Sequence, residues 1–220
     1  MATNGTNTER DICNAALRVS GIAGVLQESS AEEMHVALSA LNRMLKQWQT
    51  LGYATWRRSR QTITLVAGQS SYSLSGRPLE IETCRYKKDG VENPMLRMMR
   101  KEYDELSQKD TTGIPTQFYY DRQREDENLV VWPVPQFSEG TLELTVQSEI
   151  EDITSDGSAV VDIPAEFYNA AVYGVAEELC LVFGILDART GMISAKYRES
   201  LDQALAFDAD ESVFFQKVAY

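Results

Sequence analysis

Histidine is almost missing from this chain: His35 is the only one in 220 residues. A mixed His/Cys metal site has a single imidazole to draw on, and a Ser-His-Asp or Cys-His nucleophile would have to recruit that same residue. No local motif supports either chemistry. There is no G-x-S-x-G elbow, no G-x-x-x-x-G-K-[ST] phosphate loop and no G-x-G-x-x-G fingerprint. Cysteine is scarce too. Cys13, Cys84 and Cys180 lie far apart with no C-x-x-C pair, which reads as free thiols in a reducing compartment. No stretch is long and apolar enough to span a bilayer. The first seven residues are small and polar, without the basic and apolar regions of a signal peptide, so folding in the cytoplasm is expected. Basic residues are outnumbered, with 21 Lys and Arg against 33 Asp and Glu and a net charge of -12. A surface this acidic repels phosphates, which argues against gripping nucleic acid through its backbone. Carboxylates alone suffice for glycoside cleavage, but their abundance here gives no discrimination.

Apolar periodicity is plentiful. Met34, Leu38, Leu41, Leu45, Trp48 and Leu51 recur at steps of three or four, which predicts one long amphipathic helix. Ser30 and Glu33 form a capping box at its start, and Gly52 supplies a left-handed stop. A shorter helix precedes it from Thr8, with Asp11 three residues on and Gly21 beyond its end; Ile12, Ala16 and Val19 share one face. Two antiparallel helices with a short connection must bury their stripe against something else.

After Trp56 the period changes. Arg57, Arg58 and Arg60 read as a basic hinge, and then Thr62–Leu65 alternates as a half-buried strand. Alternation recurs at Tyr72 and Leu74, Ile81–Tyr86, Phe118–Tyr120, Leu129–Trp132 and Leu142–Val146. Asp89-Gly90 is a strong turn pair, and Lys101–Gln108 predicts a short helix. Pro133 and Pro135 end their strand or place it on an edge. Helical spacing returns after Pro164 with Phe167, Ala171, Val175, Leu179 and Val182. Tyr168, Val172, Leu181 and Phe183 make that helix apolar nearly all round, which predicts a buried centre. Gly184 ends it, and a last helix carries Ile193, Tyr197, Leu201 and Leu205.

The order is helices, strands, helices. The expected fold is α+β, a helical bundle built from the N- and C-terminal helices with an inserted antiparallel β-sandwich or barrel domain. The expected boundaries are 1–58 and 159–209 for the bundle, 59–158 for the β domain and 210–220 for a tail. Arg57, Arg58 and Arg60 have two open readings: a contact to DNA or a neighbouring subunit, or a salt-bridged junction between domains.

Taken together, several of these residues resemble a known family. Leu41, Asn42, Met44, Leu45, Trp48, Gly52 and Trp56 follow the L-N-x-M-L-x-x-W-x-x-x-G run and the Trp after it in tailed-phage head-to-tail connector adaptors. Thr8, Asp11, Ile12, Ala16-Leu17-Arg18 and Gly21 resemble the first helix of the same family. So do Gly68-Gln69 with Tyr72 and Leu74, Gly113-Ile114-Pro115 with Tyr119, Trp132-Pro133 with Pro135, and Ile163-Pro164-Ala165-Glu166. No single motif is specific; their shared order carries the likeness, which is to the short-tailed (podovirus) type, the tail tubular protein A or packaged-DNA-stabilisation proteins.

The resemblance implies a structural virion protein at the head–tail junction, folded in the host cytoplasm, without enzymatic activity or cofactor. Such adaptors build a ring, usually dodecameric, beneath the portal protein. The ring extends the DNA channel, docks the tail nozzle protein and helps retain packaged DNA; a tail fibre or spike is a further partner. DNA passes without sequence-specific binding, and no membrane is involved. The resemblance also implies that the C-terminal segment reaches the portal, with Phe214, Phe215, Val218 and Tyr220 as contacts. Competing readings are a capsid decoration or fibre-attachment protein and a virion-associated peptidoglycan-cleaving enzyme.

Overall fold

The structure, a computed structural model, describes residues 7–24, 27–76, 78–123 and 128–208. In chain order these form α1 (Glu9–Ser20), α2 (Ala31–Thr50), β1 (Arg58–Thr64), β2 (Ser71–Ser73), β3 (Glu80–Lys88), β4 (Val91–Pro94), β5 (Leu96–Arg97), α3 (Arg100–Asp104), β6 (Thr112–Gly113), β7 (Gln117–Asp121), β8 (Asn128–Trp132), β9 (Val134–Pro135), β10 (Thr141–Gln147), α4 (Tyr168–Val182) and α5 (Ala188–Asp208). The fold is mixed α+β with largely antiparallel sheets, and among the described residues no sheet closes into a barrel. The chain divides into two compact units: Met1–Trp56 with Ile150–Tyr220, and Arg57–Glu149.

The helical unit begins with two capping boxes. The Thr8 hydroxyl accepts the Asp11 N–H at 3.2 Å while the Asp11 carboxylate accepts the Thr8 N–H at 2.9 Å. Ser30 and Glu33 repeat the exchange at 3.2 and 2.7 Å. Each satisfies helix-end donors that have no intrahelical partner. Gly52, at φ 78°, lets the Tyr53 N–H reach back to the Trp48 carbonyl at 3.0 Å and close α2. Met34, Leu38, Leu41, Leu45 and Trp48 are buried, whereas Leu51, past the last full turn, is exposed.

The helical core joins Ile12, Ala16 and Leu17 of α1 to the α2 stripe, to Ala171, Val175 and Leu179 of α4, and to Ile193 and Ala204 of α5. Phe167 is wedged between Trp48 and Trp56, with ring centroids 5.6 and 4.8 Å away. The chain from Ile150 onward groups with this unit. Ile150 is buried in the helical core, its N–H donates to the Gln49 side chain at 2.9 Å, and its carbonyl accepts from Lys46 at 2.6 Å.

One expectation is corrected. α4 is not buried throughout: it is covered as far as Leu179 and Cys180, but Leu181, Val182 and Phe183 are exposed. Periodicity reports which residues are apolar, not whether another element lies over them.

In the β unit, the strand orders are β1-β10-β3-β4 and β2-β8-β7-β5, with β6-β9 as a short parallel pair. Leu65, Ile81, Cys84, Leu142, Leu144 and Val146 share one core with Tyr72, Phe118, Tyr120, Leu129 and Val131, so both larger sheets face the same interior. The Asp89-Gly90 turn has φ values of 51° and 80° and sets the Lys88↔Val91 register of β3 and β4. Pro133 ends β8 rather than marking an edge, because β8 lies between β2 and β7. The predicted helix over Lys101–Gln108 is the short α3, whose Tyr103 stacks on Tyr119 at 5.4 Å and covers it.

Candidate assembly interface

The sequence pattern reads Arg57, Arg58 and Arg60 as a hinge, but Arg58 and Arg60 are part of strand β1, paired opposite Gln147 and Thr145 of β10. Side chains alternate across a strand, so Arg58 and Arg60 share one face while Ile63 turns to the interior. Arg57 precedes the strand, and its Nε donates to the Glu149 carbonyl at 3.0 Å. Arg58 pairs with Glu82 at 2.7 Å, and Arg60 is exposed. The trio therefore has three environments rather than one basic patch.

Further along the sheet, Lys87 bridges Glu143 at 2.6 Å and Glu92 at 3.3 Å, and Arg85 pairs with Glu92 at 3.1 Å. The hydrogen bond from Lys87 to Glu143 holds the ammonium above its ordinary range, and the one from Arg85 holds Glu92 below its own. Such exposed pairs add little stability; they leave a sheet face of mixed charge.

Phe214, Phe215, Val218 and Tyr220 lie outside the described residues. Within them, exposed large apolar side chains recur around the turn between α4 and α5. Leu181, Val182, Phe183, Leu186 and Met192 are between 42% and 77% exposed. Sequence reasoning missed this surface by assigning Leu181 and Phe183 to the interior. A signal was available: the apolar run continues past helix-ending Gly184 through Ile185 and Leu186, further than one buried stripe requires.

The β unit holds a cleft of about 420 Å³ between the β3–β4 hairpin tip and the turns at 113–115 and 135–139. Leu65, Tyr86, Val91, Ile114, Pro115 and Phe137 make most of its walls. Of its two carboxylates, Asp89 and Glu139, the latter is already paired with Lys88. Burial pushes the thiols of Cys13 and Cys84 up to about 12, the charge of Glu9 adding to the effect at Cys13, so both stay neutral and unreactive. His35 is exposed on α2, and among the described residues no cluster of His, Cys, Asp or Glu could hold a metal ion. What the surface offers is exposed apolar side chains on a helix, paired charges on a sheet and a cleft with largely apolar walls, features suited to docking.

The family described as SU10 adaptor protein matches residues 9–215. The chain belongs to the SU10 adaptor protein family. The match starts at the first residue of α1, continues beyond α5 and takes in both units. Among curated proteins, nothing matches the sequence. As an SU10 adaptor the chain is a phage structural protein of the virion, from a family of adaptors rather than of known enzymes, and its partners are other virion components such as portal and tail proteins. No helix among the described residues is long and apolar enough to cross a membrane.

Proposed function

We propose that this SU10 adaptor works at the head–tail junction of a short-tailed phage, as a ring beneath the portal. The ring is dodecameric in this reading. It extends the DNA channel, docks the tail nozzle, offers a site to a fibre or spike, and helps retain the genome once packaging ends. The observation that carries the reading is the adaptor match across residues 9–215, in both units. The helices of the two chain ends act as a bundle, and the two larger sheets act as a sandwich inserted between them. Support for that division comes from the two separate apolar cores.

Residues 210–220 are the portal-binding tail in this reading, with Phe214, Phe215, Val218 and Tyr220 as its anchors. Burial of those apolar side chains against the portal ties ring formation to the portal surface. Arg60, exposed on β1, is the arginine of the trio best placed to meet DNA or a neighbouring subunit, because Arg58 is neutralised by Glu82. The -12 charge keeps passing DNA from adhering to the channel wall.

Imaging and native mass measurement of the protein, alone and mixed with the portal of the same phage, test this reading. A ring of added density at the portal's narrow end is expected, and deletion of Ser212–Tyr220 abolishes it while leaving the fold intact. Absence of any association between intact portal and folded adaptor refutes the connector role.

A further inference from the structure

One face of α1 carries a cationic cleft. Arg10, Asn14 and Arg18 follow one another at steps of four, which puts them within an arc of about 80° and about 12 Å from end to end along the helix. With Glu28 and Ser29 they line a cavity of about 330 Å³. The opposite face of α1 is fixed in the helical core through Ile12, Cys13, Ala16 and Leu17. We infer that this cleft is a docking site for an acidic segment of a partner protein, whose carboxylates are held by the two guanidinium groups. The inference concerns the helical unit alone and does not depend on a ring.

The state of the two arginines points to an anion. Arg43, Lys46 and Lys196 of the same unit each hold a carboxylate. Among the described residues none pairs with Arg10 or Arg18, although both are exposed in a chain with 33 acidic residues. Arg10 also stands where the helix disfavours a cation, in the first turn of α1 at the positive end of its dipole. The carboxylates on either side of it are committed elsewhere, Glu9 to Thr154 and Asp11 to Thr8. An anion bound at this end of the cleft meets both the guanidinium and the dipole. Asn14 adds a donor: the Ser29 hydroxyl donates to its Oδ1 at 2.9 Å, which turns the amide NH2 to a ligand.

The surroundings favour carboxylate over nucleic-acid phosphate. DNA is held by a run of cations along its backbone, whereas here two stand beside Glu28 in a chain of net charge -12. Two planar guanidinium forks around a concave site match carboxylates instead. Acids about one to two helical turns apart on a partner reach both. Exposed charge pairs are individually weak and salt-sensitive, so the site selects and orients a partner rather than holding it alone.

Titration of a capped hexaglutamate peptide into the isotopically labelled full chain, followed by NMR, tests the inference. At about 20 mM salt the side-chain N–H signals of Arg10, Asn14 and Arg18 should shift together, with a dissociation constant on the order of 1 mM. Raising the salt to about 150 mM weakens binding severalfold. Arg10→Gln combined with Arg18→Gln weakens it by about tenfold or more, and the rest of the spectrum stays in place because both side chains are exposed. Glu28→Gln removes the carboxylate that borders the cleft and tightens binding by about two- to threefold. Asp202→Asn, an equal charge change on an exposed position of α5, does not. Absence of shifts at up to about 10 mM peptide overturns the inference, as does binding that the double variant retains. A duplex DNA that moves the same signals at lower concentration and the same salt also overturns it, because the occupant is then a phosphate backbone.

Discussion

Glu9 is the charged residue buried in the helical unit among the described residues, at 3% exposed, and replacing it with alanine should be among the costlier single changes in the protein. Its carboxylate accepts the Thr154 N–H at 3.2 and 3.1 Å and the Thr154 hydroxyl, tying the start of α1 to the segment after Ile150. Hydrogen bonds to a charged acceptor contribute about 1.5–3 kcal/mol, and removal leaves the Thr154 donors without their partner. A carboxylate in the first turn of a helix adds about 0.3–1 kcal/mol through the helix dipole. Glu9→Ala is therefore expected to cost about 2–4 kcal/mol, which for a chain of this length lowers the melting temperature by about 5–15 °C. Glu9→Gln keeps an acceptor oxygen and loses the charge, so about half that loss is expected. Urea unfolding followed by tryptophan fluorescence reads the effect, since Trp48 and Trp56 both lie in this unit. Thr154→Val completes a double-mutant cycle, whose coupling should reach about 1–2 kcal/mol. A Glu9→Ala loss under about 0.5 kcal/mol, or simple additivity with Thr154→Val, would refute the reasoning.

Other consequences are equally accessible. Gly140→Ala puts a Cβ 2.6 Å from the Lys87 carbonyl and 2.7 Å from the Tyr86 ring at φ 81°, and should cost about 3 kcal/mol or more in chemical denaturation. Gly68→Ala, at φ 76° with nothing nearby, should cost only about 1 kcal/mol, so equal losses would show that close approach is not what matters at position 140. The Thr8 hydroxyl holds the Asp11 carboxyl below its ordinary value of 3.8, so its contribution is present above that pH and lost as pH falls through the lower folded value. Melting curves of wild type and Thr8→Val should thus differ by about 1 kcal/mol near neutrality and by less in acid below the lowered folded value, where only the Asp11 N–H bond to the hydroxyl remains, and a gap that does not narrow would contradict the cap assignment. The three cysteines are buried, so a thiol reagent at pH 8 should label the native protein slowly and all three thiols promptly after unfolding. Rapid labelling of the native chain would show that the helical or β core opens readily.

Much of the fold is readable from the chain because local chemistry decides it. Ser30 with Glu33 and Thr8 with Asp11 announce helix starts through side chains only three residues away. Asp89-Gly90 specifies a tight turn because both positions need positive φ, and the α2 stripe names its own buried face. The less legible parts depend on distant neighbours. Strands β5, β6 and β9 are two residues long and exist only through pairing with β7 or with each other, which no alternation can encode. Glu9 looks like an ordinary solvated first-turn acid, since Thr154 is 145 residues away. The exposed apolar run at the α4–α5 turn is hard to read: an apolar residue at the surface and one in the core have the same hydropathy, and Leu181 reads like Leu179. The tail residues Phe214, Phe215, Val218 and Tyr220 are suggested by family likeness and aromatic content alone.

The way the chain threads between its two units has a consequence during synthesis. Each ladder partner of a strand in Arg57–Glu149 lies within that same stretch, whereas α1 and α2 need α4 and α5 to complete their core. The ribosome must therefore deliver the whole β unit before the partners of the first two helices appear, a delay of roughly 5 to 20 s. Over that interval the Met34–Trp48 stripe stands exposed on a nascent hairpin while the strands behind it are already free to pair. Chaperone capture of the emerging N-terminal hairpin, relieved only once α4 clears the exit tunnel, follows from the connectivity itself.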